Sequence, residues 1–172
     1  LICHDSTDKR TIEFNSNHLI KDTGIHYIEM NHKNNVQTSI EEIEMIQKIM
    51  NEMIGLQCFD GKDKRILTVD DFLIISPYNT QVNKIESELT AANIMAPRVG
   101  TIDKFQGQEA LITIISMTSS DSESLPRNKA FFFSKNRLNV AMSRAQVASI
   151  IMFNPDLLNN VPRNINDIKM MN

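Results

Sequence analysis

Apolar residues recur along this chain in two rhythms. Ile40, Ile43, Ile46, Ile49, Met50, Met53 and Ile54 follow one another at helical spacing. Ser39 and Glu42 stand where a capping box starts a helix, and Gly55 where one stops, which predicts a helix over 39–54. A second helix is predicted from about Thr80 to Ala92, with Val82, Ile85 and Leu89 facing inward, and a third over Ser134–Ala145. The other rhythm is the short apolar run. Phe72–Ile75 is such a run; it lacks the polar alternation of a half-exposed strand and suits a strand buried on both faces. Leu111–Met117 and Ala148–Phe153 are further apolar runs, and Ile25–Met30 after Gly24 and Val99–Asp103 read as short strands as well. Strands alternating with helices predict an α/β fold, a parallel sheet flanked by helices on both faces. In such sheets ligands gather beyond the carboxyl ends of the strands, where each motif below is expected. Polar residues 60–65 and 118–130 read as loops, Thr11–Phe14 as a short strand, and Asp156–Leu158 as a short closing helix after Asn154-Pro155.

Composition narrows the picture only a little. The 172 residues are 41% hydrophobic and 23% charged, enough apolar material for one real core. No run is long enough to span a membrane, and no charged-then-apolar leader opens the chain. Cys3 and Cys58 stand far apart, with neither disulfide nor metal-ligand spacing, which predicts a reducing, cytoplasmic setting. The four histidines lack paired cysteines and read as surface or structural groups, so no metal site is expected. Net charge is −3, but residues 98–148 carry seven basic side chains against four acidic ones. A local basic balance can serve a phosphate-rich partner, although ordinary surface charge explains it nearly as well.

Gly55 and Gly61-Lys62 faintly suggest a phosphate-binding loop. Five residues separate the glycines where four are needed, Asp63 takes the place of the metal-binding hydroxyl, and a helix precedes them. The chain therefore has no such loop. Three other segments are harder to dismiss. Ile75-Ser76-Pro77-Tyr78-Asn79-Thr80-Gln81 ends an apolar run, where Pro and Asn also suit a plain turn. Val99-Gly100-Thr101-Ile102-Asp103-Lys104-Phe105-Gln106-Gly107-Gln108-Glu109 gathers hydroxyl, acid, base, amide and glycine at a strand end, more polar chemistry than packing needs. Gly107 allows close backbone approach, and Gln106 and Glu109 can bond a ribose or phosphate oxygen. Asn136-Arg137-Leu138-Asn139-Val140-Ala141-Met142-Ser143-Arg144-Ala145 sets two arginines seven residues apart, hence on a similar side of a helix, with small residues around Arg144.

In this order and spacing the three segments resemble motifs IV, V and VI of superfamily 1 helicases, with the Upf-like branch as the best match. The resemblance covers about residues 25–160 and implies a RecA-like domain, a P-loop NTPase-like domain lacking the P-loop. It divides the chain into an irregular leading segment (1–24), the second RecA-like domain (25–160) and a tail (161–172). Such proteins bind ATP between two RecA-like domains, so ATP with Mg2+ is implied, shared with a first domain of the same chain that this sequence does not include. The resemblance makes Arg144 the arginine finger, with Gln106, Gly107 and Glu109 bordering the nucleotide. Gln106 and Asp103 link that cleft to a track of Pro77, Tyr78, Asn79 and Thr101 along single-stranded DNA or RNA. The implied activity is a 5′ to 3′ helicase or translocase with little sequence preference. Family members also carry an upstream Gln-Tyr-Arg-Met-like segment, which Leu1–Arg10 does not match. The chain is thus expected to be a piece that is idle alone. A stand-alone RecA-like nucleic-acid-binding module without ATPase activity is the competing expectation.

Overall fold

The structure, a computed structural model, describes residues 10–14, 17–95, 97–120 and 135–157. Its centre is a five-stranded sheet of β2 (Gly24–Glu29), β5 (Phe72–Ile75), β6 (Val99–Gly100), β7 (Ala110–Ser116) and β8 (Ala145–Phe153), in the order β2-β8-β7-β5-β6. Every pairing within it is parallel. All residues of β5 and β7 are buried, as their unbroken apolar runs predict.

Side chains alternate between two cores. Phe72, Ile74, Ile112, Ile114, Ile150 and Met152 face one side, against α1 (Ile40–Met53) and α2 (Asn79–Ala91). Leu73, Ile75, Ile115 and Ile151 face the other, against Ala141 of α3 (Lys135–Met142) and the 3-10 turn Ile102–Phe105. Helices on both faces of a parallel sheet are the predicted RecA-like arrangement. Val82, Ile85 and Leu89 point inward as expected, whereas Ile40 of the predicted α1 stripe is 47% exposed.

Several boundaries move. The loop expected at 60–65 is instead the turn of a hairpin, β3 (Gln57–Phe59) and β4 (Lys64–Ile66), which joins β1 (Thr11–Ile12) in a three-stranded antiparallel sheet. Asp60 closes that turn by accepting from the Lys62 and Asp63 N–H groups at 2.9 and 3.1 Å, so Gly61-Lys62 is no phosphate loop. Arg65 then reaches Asp60 at 2.9 Å and Asp71 at 2.6 Å, which ties the hairpin to the start of β5. The strand expected over Val99–Asp103 ends at Gly100, because Ile102–Phe105 winds into the 3-10 turn that covers the sheet. Most of the loop expected at 118–130, the start of the third helix at Ser134, and Leu158 lie outside the described residues. Ile12 and Ile20, ahead of β2, are buried in the α1–α2 core.

Candidate functional site

Two of the predicted motifs meet at the carboxyl edge of the sheet. β5 and β6 are neighbours in register, Ile75 beside Gly100, so the turn after β5 lies beside Thr101. The Ser76 N–H donates to the Gly100 carbonyl at 3.1 Å. Pro77 and Thr101 are half-buried, and Asn79 is exposed. Tyr78 is buried, with its hydroxyl 3.2 Å from Ser119 Oγ, so it supports the turn from beneath. Burial raises the Tyr78 phenol above its ordinary range, and the Ser119 hydrogen bond partly offsets this. Tyr78 is also the N-cap of α2, which has neither a side-chain cap nor an acidic residue in its first turn. The leading N–H groups of a helix have no intrahelical acceptor and favour anions.

From Thr101 the chain crosses the sheet face. Gly100 permits the crossing: a Cβ there would lie 2.5 Å from Lys104 Cδ and 3.0 Å from the Phe105 ring. The 3-10 turn buries Ile102 and Phe105, and Lys104 Nζ returns to the Val99 carbonyl at 2.8 Å. A type II turn follows over Phe105–Gln108. Gln106 has φ −59 and ψ 123, Gly107 has φ +77, and the Gln108 N–H donates to the Phe105 carbonyl at 3.1 Å. This shape needs a left-handed residue at Gly107 and leaves Gln106 exposed.

The end of the second motif and the third motif depart from the sequence expectation. Glu109 and Arg144 precede β7 and β8, so they sit at the amino edge of the sheet and not the carboxyl edge. The crossing segment and α3 both run back along the sheet face, and that carries these residues to the far edge. Strand register then joins them: Ala110 pairs with Ala145, and the Ala110 N–H donates to the Arg144 carbonyl at 3.0 Å.

Arg144 lines a cavity of about 290 Å³ with Gln106, Ile102, Asp103, Asn136, Arg137 and Val140. Motifs V and VI thus form one hollow. Arg144 Nε is buried there without a hydrogen-bond partner among the described residues. A buried donor without an acceptor costs about 1–3 kcal/mol, and an incoming anion would remove that cost. Asp103 and Arg137 face each other at 3.8 Å, both largely exposed, so their attraction is weak. Glu109 lies in a second hollow of about 280 Å³ with Arg65, Asp71, Arg98 and Gln146, and its carboxylate accepts from Gln146 Nε2 at 2.7 Å. Gly107 lines neither hollow. The structure therefore brings Arg144 and Gln106 together, sets Glu109 just ahead of the neighbouring strand β7 in a separate hollow, and leaves Pro77, Tyr78, Asn79 and Thr101 at the opposite edge. No group of three His, Cys, Asp or Glu side chains suited to a metal occurs among the described residues.

Sequence reasoning missed the buried polar layer beneath the carboxyl edge. Glu42 does not reach back to the Ser39 N–H as a capping box requires. Gln81 Oε1 takes that N–H at 2.9 Å, while Ser39 Oγ still caps Glu42 N at 3.2 Å. The signal was present: Gln81 closes the first motif, and amphipathic spacing puts it beside Val82 and Ile85 on the inward face.

Residues 2–156 match the family described as AAA domain. The probable RNA helicase armi of Drosophila melanogaster is 38% identical over 96 residues, 54% of this chain and 8% of that protein. Human RNA helicase Mov10l1 is 34% identical over 95 residues, again 54% and 8%. The putative helicase MOV-10 of Gallus gallus is 33% identical over 133 residues, 70% of this chain and 14% of that protein. The chain thus corresponds to a small part of each relative. With its parallel sheet, its three motifs in order and the match over nearly its whole length, the chain belongs to the AAA-domain family as a second RecA-like motor domain of the Upf-like branch of superfamily 1 helicases.

Proposed function

We propose that this domain is the C-terminal half of an ATP-driven motor that moves 5′ to 3′ along single-stranded nucleic acid. The observation that carries the reading is Arg144, a guanidinium whose Nε is buried and has no partner among the described residues, beside Gln106 in an open hollow. Phosphoryl transfer needs a permanent, fork-shaped cation where charge develops, and an arginine supplies it. ATP is the substrate, shared with a first RecA-like domain that brings the phosphate loop and the Mg2+ ligands. In that cleft Arg144 meets the terminal phosphate, and Gln106, Gly107 and Glu109 border the nucleotide. Glu109 stands ready to accept from a ribose hydroxyl in exchange for Gln146.

Pro77, Asn79 and Thr101, with Tyr78 below them, form the track at the other edge. Its chemistry of hydroxyl, amide and helix N–H groups suits phosphates and carries little sequence information. The names of two relatives specify RNA, so RNA is the first strand to test, with DNA as the parallel arm. No helix of the described residues is long and apolar enough to cross a membrane. We place the protein in the cytoplasm, where the buried free thiol of Cys58 stays reduced.

The test is ATP hydrolysis by a polypeptide that continues upstream through a phosphate-loop domain, with and without single-stranded RNA or DNA. Strand-dependent stimulation is expected, and residues 1–172 alone should hydrolyse nothing. Hydrolysis indifferent to both strands, or none in the longer polypeptide, refutes the reading.

A further inference from the structure

Beneath the proposed track lies a charged group that the track's own residues do not explain. Glu42, in the first turn of α1, is fully buried, as is His32 beside it. Its carboxylate takes four contacts from three donors. The Thr118 N–H reaches Oε1 at 3.1 Å and Oε2 at 2.9 Å, the Ser116 hydroxyl reaches Oε2 at 2.5 Å, and His32 Nε2 reaches Oε1 at 3.1 Å. A carboxylate only accepts, so His32 donates from Nε2, and its Nδ1 meets the Ser120 hydroxyl at 2.8 Å.

These bonds hold an unfavourable backbone. Thr118 has φ +72, a left-handed conformation that a β-branched residue rarely adopts. A grip on its N–H from both carboxylate oxygens offsets that cost. Fixed in this way, the segment after β7 meets the track turn at two points. Thr118 Oγ1 lies 3.1 Å from Ser76 Oγ, and Ser119 Oγ lies 3.2 Å from the Tyr78 hydroxyl. Ser119 also donates to the Val36 carbonyl at 2.6 Å, and Gln81 Nε2 donates to Ser116 Oγ at 3.1 Å. α1, α2, β5 and β7 are thereby locked to one another through a single buried anion.

We infer that Glu42 is a positioning residue for strand binding: through Thr118 and Ser119 it fixes Ser76–Asn79 in the shape that grips a nucleic-acid backbone. The inference rests on the proposed track. Packing alone does not account for the arrangement, since a buried carboxylate is costly unless every lone pair is used, and an apolar residue would fill the space.

The experiment uses the longer polypeptide with both motor domains and a fluorescein-labelled oligouridylate or oligothymidylate. Glu42→Gln keeps the shape and sets an amide N–H against the Thr118 and Ser116 donors. The strand concentration for half-maximal binding should rise about tenfold, the size expected for losing hydrogen bonds to a charge. Turnover at saturating strand should stay within about twofold, since hydrogen-bond loss confined to the track leaves the saturated complex intact. Tyr78→Phe should weaken binding less, about threefold, as for one neutral hydrogen bond, and should add little to Glu42→Gln because both act through one route. Ile49→Val, a core change farther along α1, should lower stability and leave strand affinity unchanged. Wild-type affinity in Glu42→Gln, full additivity with Tyr78→Phe, or an equal affinity loss in Ile49→Val overturns the inference. If Gln at position 42 prevents folding, Tyr78→Phe with wild-type affinity overturns it instead. A wild-type protein that binds neither strand sinks the track reading itself, which is a separate failure.

Discussion

Two glycines in the crossing segment give the most discriminating test of its geometry, because the same substitution should fail for different reasons. Gly107 has φ +77 and no atom within 4 Å of a built Cβ, so Gly107→Ala meets no obstacle. Its cost is conformational. A left-handed non-glycine residue costs about 1–2 kcal/mol, and the reduced freedom of the unfolded chain returns about 0.4–1 kcal/mol. The net loss is about 1 kcal/mol, and Gly107→Asn should recover most of it, since Asn tolerates this conformation. Gly100 carries no such torsional demand. There a Cβ meets Lys104 Cδ at 2.5 Å and the Phe105 ring at 3.0 and 3.1 Å. The lysine can swing aside, at the expense of its bond to Val99. Phe105 cannot, because it is buried against Leu73 and Ile75. Overpacking of this kind costs about 1–3 kcal/mol. Gly100→Asn should be worse than Gly100→Ala, and Phe105→Leu should cost less in the Gly100→Ala background than in wild type. Urea unfolding followed by circular dichroism reads all six variants. Equal losses for Ala and Asn at 107, or a neutral Gly100→Ala, would refute the reasoning.

Other outcomes follow from the same structure. Ile46 is wholly buried between α1 and the sheet, so Ile46→Ala should cost about 2–5 kcal/mol in urea unfolding. The pH dependence of stability should reflect the hairpin. Burial works against the Asp71 charge, but hydrogen bonds from Arg65 and Thr68 outweigh it and hold the carboxyl below its ordinary range; Arg65 chiefly does the same for Asp60. For carboxylates depressed on folding, the stabilisation is complete above the unfolded value of about 3.9 and disappears as pH falls towards the folded values. Thermal unfolding from pH 7 to pH 2 should therefore show an acid loss that shrinks in Asp71→Asn.

Where the chain's signals were local, the sequence alone revealed them. α1 announced itself through Ile43, Ile46, Ile49, Met50 and Met53, all buried, and the strands β5, β7 and β8 through runs that no solvent-facing element would carry. The β3–β4 hairpin was hidden because Gln57–Phe59 and Lys64–Ile66 are only three residues each, held by Arg65 to acids on either side in sequence. Glu42 misled for a related reason. Its spacing from Ser39 fits a capping box, yet the competing donors are His32, ten residues upstream, and Ser116 and Thr118 from a distant part of the chain. The site divided along the same line. Arg144 and Gln106 could be named from their motifs. That Glu109 sits beside Arg144 at the amino edge depends on the register of β7 against β8, which only the folded sheet displays.

The central claim rests on one side chain. In a polypeptide carrying both motor domains, Arg144→Ala should lower strand-stimulated ATP turnover by about 10³–10⁵ while leaving strand affinity nearly unchanged, and Arg144→Lys should recover little of it. Wild-type turnover in Arg144→Ala would contradict the assignment outright.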